Sequence, residues 1–194
     1  KATNMAIVGR LDYFVTPKIL GGVSVYRGDS SKNRPKPDLK GYQAHVLIAD
    51  AHFRFVADRW CIQSMYMHGN LQNSNLISKR NRTLSNRLQV LRSPVAREAR
   101  ALLVEIGYDL LPWFVISSTK SVNGFLRFDD YDTMHKTSSE IFDNPRFARR
   151  LYTFGLNYNM ADTVIFKSDY CIRKVGGSRF NQEDTFNFSL AFRF

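Results

Sequence analysis

Two features are absent from this sequence of 194 residues: long apolar runs and clustered cysteines. No stretch of about 18 consecutive apolar residues occurs, which excludes a membrane-spanning helix. The only cysteines are Cys61 and Cys171, and their spacing matches no metal-binding pattern. Neither a phosphate loop nor a dinucleotide fingerprint is present. We therefore expect no metal and no cofactor.

Residues for catalysis are also sparse. The four histidines are scattered along the chain at His45, His52, His68 and His135. His52 and Asp50 fall on one face of a predicted strand, but the sequence places no serine or cysteine nucleophile beside them. A serine or cysteine hydrolase needs such a nucleophile next to its base. We therefore expect no enzyme and no catalytic residue.

Acidic residues are few compared with basic ones. The chain has 17 Asp and Glu against 28 Lys and Arg, a formal net charge of +11. This excess is typical of three classes of protein. They are proteins that bind nucleic acid, proteins that contact an anionic membrane surface, and pores that attract anions. Nucleic-acid binding would need aromatic side chains on the basic face. Here the aromatic residues alternate with the charges, so no nucleic-acid partner is expected.

Alternation of apolar and polar residues is the main pattern that is present. It has the period of two that strands show, and it recurs in about nine segments. These segments are residues 5–15, 19–27, 43–56, 60–70, 100–109, 113–131, 150–159, 163–174 and 185–194. Residues 113–131 are either one long strand or two strands broken near Asn123-Gly124, a pair that favours hairpin turns.

The connections between these segments alternate in length. Short ones follow Val15, Val56, Asp109 and Asn159, and long polar loops occupy residues 28–41, 71–98, 132–149 and 175–184. In an antiparallel meander this alternation places all short turns at one end, as in transmembrane β-barrels. Strands of about ten residues can also cross a bilayer when tilted. Within loop 71–98, Leu84, Leu88 and Leu91 predict a short helix, and the loop either enters the pore or stays outside.

The predicted fold is therefore all-β: an antiparallel up-and-down transmembrane β-barrel, formed by one domain over residues 1–194. A soluble sandwich of two packed sheets is the alternative. Nine strands conflict with the even numbers of bacterial single-chain barrels. We therefore expect the chain to be the C-terminal part of a larger barrel whose upstream strands are missing.

The last segment ends in an alternating aromatic strand. Its apolar face carries Phe186, Phe188, Leu190, Phe192 and Phe194. This strand resembles the C-terminal insertion signal of bacterial outer-membrane β-barrels. The resemblance implies location in the bacterial outer membrane, contact with the barrel assembly machinery, and contact with outer-membrane lipid and lipopolysaccharide.

The second half of the chain resembles a particular family. The successive segments are Val-Glu-Ile-Gly-Tyr-Asp at 104–109, residues 125–133, Phe-Gly-Leu-Asn-Tyr at 154–158, residues 164–170 and the final strand. Together they resemble the C-terminal half of porins related to the phosphate-selective porins. The resemblance implies a large barrel of about 16 strands and passive diffusion of small solutes. No phosphate-binding arginine ladder is matched, so phosphate specificity is not implied.

In such a barrel the polar faces of the strands would line the pore. The candidate lining residues are Arg10, Asp50, His52, Arg54, Gln63, Glu105, Arg127, Asp129, Lys167, Asp169 and Arg193. Their cations could favour anionic solutes, or they could simply pair with neighbouring carboxylates. We expect an outer-membrane porin that could form a homo-oligomer. A structural barrel within an envelope complex and a soluble basic β-protein are the alternatives.

Overall fold

The computed structural model describes residues 5–31, 42–83, 94–113, 121–161, 163–177 and 179–192. Nine strands account for most of them: β1 (Ile7–Thr16), β2 (Ile19–Asp29), β3 (His45–Ala57), β4 (Trp60–Leu71), β5 (Glu98–Asp109), β6 (Ser121–Lys136), β7 (Ala148–Ala161), β8 (Val164–Val175) and β9 (Gln182–Phe192). One α-helix, α1 (Ser74–Thr83), and two 3-10 turns, Leu111–Trp113 and Pro145–Phe147, are the other elements. The predicted all-β fold class is confirmed.

All nine strands belong to one sheet whose spatial order follows the chain from β1 to β9. Every neighbouring pair is antiparallel, so the sheet is an up-and-down meander, as predicted. Within the described residues β1 and β9 are not paired with each other, and the sheet is open. With an odd number of strands, both edge strands run in the same direction.

The connections separate the two ends of the sheet. The turns that follow β1, β3 and β7 lie at what we call the short-turn end. The ends of β2, β4, β6 and β8 lie at the opposite, long-loop end. β1 and β9 therefore both run toward the short-turn end.

One predicted connection is wrong. The sequence pattern predicts a short turn after Asp109 and a strand that starts at Trp113. Instead, Trp113 lies in a 3-10 turn and β6 starts at Ser121. A hairpin at Asn123-Gly124 is also excluded, because both residues lie inside β6 and pair with β5 and β7. Cross-strand pairing on both sides outweighs the local turn preference of this dipeptide.

Helix α1 packs against the long-loop end of the sheet. Ile77 is buried and forms a cluster with Ala44, against which Leu71 and Val95 pack. The Ser78 hydroxyl accepts a hydrogen bond from the Val95 amide at 2.8 Å. The helix that the leucine spacing predicts lies further along, at residues 84–91, outside the described residues.

Buried apolar side chains are concentrated at the same end. A second cluster joins Ala96, Met134 and Ile141, with Phe147 packed against it. Along the rest of the sheet, most side chains on both faces are exposed or half-buried. Within the described parts of the chain, no second layer covers either face. The sheet therefore differs from a soluble sandwich, whose core lies between two sheets.

Candidate functional site

The strand register places the predicted lining residues on a single face, which we call the polar face. Ten of the eleven lie there, contributed by β1, β3, β4, β5, β6 and β8. The eleventh, Arg193, lies outside the described residues. Side chains alternate along each strand. Because no register shift between neighbouring strands moves these positions to the other face, all of them stay together.

Register also brings residues that are distant in sequence into one row. Arg54 is the partner of Gln63, Gln63 of Glu105, and Glu105 of Arg127, so four adjacent strands contribute neighbouring polar side chains. Gln63 Nε2 donates a hydrogen bond to Glu105 Oε1 at 2.9 Å. The sequence predicts on which face each residue lies, whereas the strand register shows which of these residues are neighbours.

The polar face of β5–β9 encloses a cleft of about 510 Å³. Its charged lining residues are Glu105, Arg127, Asp129, Lys167, Asp169 and Arg173. Asn157 and Asn187 also line it, and they are absent from the predicted set. Their positions on the polar side of the alternation in β7 and β9 could have identified them.

Several charges in and near the cleft pair with one another. Arg127 binds Asp129, two residues away, with Nε–Oδ2 and Nη2–Oδ1 distances of 2.9 Å. Arg173 pairs across strands with Glu183. Because these groups are partly exposed, each pair contributes at most about 1 kcal/mol to stability. Their main effect is to orient the side chains and to neutralise part of the lining.

Three cations on this face differ from the others. Arg54, Arg149 and Lys167 form no ion pair with any described carboxylate. The register partners of Lys167 are Asn157 and Ser189, which are uncharged. The charges of these three cations are therefore not neutralised by an ion pair within the described residues.

The polar face as a whole is close to neutral. Its described strands carry six cations, Arg10, Arg54, Arg127, Arg149, Lys167 and Arg173, and seven carboxylates, Asp12, Asp50, Glu105, Asp109, Asp129, Asp169 and Glu183. The net charge of +11 therefore does not arise from this lining.

A hydrogen-bonded group ties β1, β2 and β3 together on the polar face. His52 Nδ1 lies 3.0 Å from Asp50 Oδ1, and His52 Nε2 lies 2.8 Å from Asp12 Oδ1. Ser24 donates its hydroxyl hydrogen bond to Asp50 rather than to His52. Each ring nitrogen of His52 faces a carboxylate, so the ring is not oriented as a base toward a serine nucleophile. This arrangement is a cross-strand tie rather than a catalytic triad.

A glycine makes this tie geometrically possible. Gly22 lies between Asp12 and His52 in the same row of the register. A Cβ atom at Gly22 would lie 2.4 Å from both Asp12 Oδ1 and His52 Nε2. The missing side chain on β2 therefore lets β1 and β3 interact across an intervening strand.

The opposite face, which we call the apolar face, carries the predicted insertion-signal residues. Phe186, Phe188, Leu190 and Phe192 lie on it, and each is more than half exposed. Phe194 lies outside the described residues. The ring of Phe188 contacts those of Phe166 and Phe186, at centroid distances of 5.9 and 4.4 Å.

Amphipathic aromatic residues lie toward both ends of the apolar face. Near the short-turn end, Trp60 contacts Tyr108 with ring centroids 4.6 Å apart, and Trp113 lies 5.7 Å from Tyr108. Toward the long-loop end, Tyr152 contacts Phe128, and Tyr170 contacts Phe154. Ring contacts that include Trp or Tyr therefore lie toward both ends of this face.

No protein-family model matches the chain. A search of curated proteins gives no match either. Among the described residues, none of the helices has the length and apolar character needed to span a membrane. The same residues contain no group of three or more His, Cys, Asp or Glu side chains placed to hold a metal ion.

Proposed function

We propose that this chain is part of the wall of a transmembrane β-barrel in the bacterial outer membrane and acts as a porin for small solutes. One observation carries the proposal. The apolar face extends across the sheet without any described layer over it, and its large side chains are exposed, for example Leu11 at 68% and Leu126 at 65%. Lipid is the environment that suits such a face.

A water-soluble monomer would not tolerate this surface. Exposed apolar patches on monomers rarely exceed a few hundred Å². Here large apolar residues are exposed on strands from β1 to β9. In a sandwich, a second sheet of similar size would have to cover them. A bilayer covers such a face without a second protein layer.

The polar face supplies the proposed pore lining. Its charges alternate in sign, and Arg54, Arg149 and Lys167 are the cations without a described counter-ion. An almost neutral lining favours general diffusion of small hydrophilic solutes over strict ion selection. Any anion preference would come mainly from basic groups at the long-loop end, such as Lys79 and Arg80 of α1.

Closing the wall needs strands beyond the nine described here. β1 and β9 run in the same direction, so direct pairing between them would be parallel. An all-antiparallel barrel therefore needs an odd number of further strands between these edges, giving an even total. Additional strands would also cover the unpaired backbone groups of both edges, which otherwise favour aggregation.

The first experiment measures conductance and detergent dependence together. The complete barrel, in which further strands close the wall formed by these nine, is refolded in detergent and added to a planar lipid bilayer. We expect stepwise currents, and we expect the protein to precipitate when detergent is withdrawn. Stable bilayer insertion without current would contradict the porin function and favour a structural barrel. A soluble monomer in plain buffer would contradict the membrane proposal itself.

A further inference from the structure

A cluster of charges interrupts the apolar face at its long-loop end. It consists of Arg100 on β5, Asp130 and Asp132 on β6, Arg150 on β7 and Lys174 on β8, and we call it the rim cluster. In the register, Asp130, Arg150 and Lys174 are consecutive partners, and Arg100 is the partner of Asp132 one row nearer the loops. These five residues border a concavity of about 310 Å³.

Only part of this charge is neutralised within the protein. Arg150 Nε lies 3.4 Å from Asp130 Oδ2, and Asp132 Oδ1 accepts a hydrogen bond from the Met134 amide at 2.9 Å. Arg100 has no ion pair with a described carboxylate. Lys174 likewise lacks one, and its Nζ lies over the ring of Tyr152, 5.9 Å from the centroid. Two cations are therefore free to bind an anion.

The surroundings identify the type of anion. On the side facing the short-turn end, the rim cluster borders Leu102, Phe128, Tyr152 and Ile172 of the apolar face. A ligand that uses both surfaces has an anionic head and hydrocarbon chains. A small free anion would use only the cations and would gain nothing from the apolar residues beside them.

We propose that the rim cluster binds the phosphorylated headgroup of an outer-leaflet lipid of the lipopolysaccharide type, with the acyl chains along the apolar face. Phosphate oxygens would bind Arg100 and Lys174, while the Arg150–Asp130 pair borders the site. The inference rests on the proposed function only in requiring that the apolar face contacts lipid. Basic groups at a membrane surface each contribute measurably to binding of anionic lipid.

The test measures lipid A binding to the full chain refolded in neutral detergent. Retained lipid is counted by native mass spectrometry. Arg100→Gln and Lys174→Gln should each weaken lipid A binding about fivefold. Arg27→Gln is the matched control, because Arg27 is an exposed cation on the same face and at the same end, but on β2. It should change the affinity less than twofold.

Three results would overturn the inference. Arg27→Gln could weaken binding as much as Arg100→Gln, dephosphorylated lipid A could bind as well as lipid A, or inorganic phosphate could compete efficiently. The conductance experiment separates the two proposals. Lipid A binding that depends on Arg100 without any current contradicts the porin alone. Currents with lipid binding that is insensitive to Arg100 and Lys174 contradict the rim cluster alone.

Discussion

Both faces of the sheet are uncovered in the described part of the chain, but their exposed side chains make different contacts. On the apolar face, side chains such as Phe188 and Leu190 are exposed and contact mainly one another. On the polar face, exposed charges bond along and across strands, as Arg127–Asp129 and His52–Asp12 show. The first face is suited to hydrocarbon and the second to water. Under the proposed function, adjacent residues on one strand face different solvents, which makes neighbouring substitutions informative.

The largest effect is expected at Phe166, on the apolar face of β8. Phe166→Arg should impair insertion by about 2–4 kcal/mol if the residue lies near the bilayer midplane, because a guanidinium is poorly solvated there. The measurement is the unfolding free energy of the chain reconstituted in lipid. Unchanged stability would mean that this face does not contact lipid.

Lys167 is the matched control on the polar face. Lys167→Glu should leave the unfolding free energy nearly unchanged, because this cation has no ion pair with the described carboxylates. It should instead shift the reversal potential in a salt gradient toward cation selectivity. Equal destabilisation by the two substitutions would contradict the assigned faces.

The next largest effect is expected at Gly155 on β7. A Cβ atom there would lie 2.5 Å from the Ser168 carbonyl oxygen and 2.8 Å from the Phe125 ring. Since the carbonyl belongs to the paired strand, it cannot move away without disturbing the ladder. Gly155→Ala should therefore cost about 1–3 kcal/mol. Gly9→Ala is the control, because no atom lies within 4 Å of its Cβ position, and it should not destabilise the protein.

A smaller effect is expected at Gly22, where the close atoms belong to side chains that can move. Gly22→Ala should separate Asp12 from His52 and loosen the tie between β1 and β3. The chemical shifts of the His52 ring nitrogens would report the loss. Gly21→Ala should leave these shifts unchanged, because its Cβ position has open space around it. Identical spectra for Gly22→Ala and the wild type would rule out the proposed role of this glycine.

The smallest effect concerns acid stability at the rim. Glu98 is the first residue of β5, beyond the part of the apolar face that begins at Leu102. Lys136, whose Nζ lies 2.9 Å from Glu98 Oε2, lowers the pKa of Glu98 to about 2. Its contribution to stability is therefore present above the unfolded pKa of 4.5 and is lost as the pH falls toward 2. Glu98→Gln should remove this pH dependence in unfolding titrations.

The sequence pattern assigns residues to the correct face where the two neighbouring strands have the same alternation. Alternation along β3 and β8 assigns every candidate there to the observed face. It fails at Trp113, which is predicted to start a strand but lies in a 3-10 turn. The hairpin turn considered at Asn123-Gly124 is also wrong, since pairing with β5 and β7 keeps both residues within β6. Turn preference is a local energy, and cross-strand pairing exceeds it here.

The sequence by itself determined the all-β class, the antiparallel meander and the division into two faces. These follow from a period of two, which is a property of the individual strand. Only the tertiary structure decided which polar residues are neighbours, such as Arg54, Gln63, Glu105 and Arg127 in one row. It also revealed the gap at Gly22 and the rim cluster. Register depends on contacts between distant strands, and no local pattern encodes them.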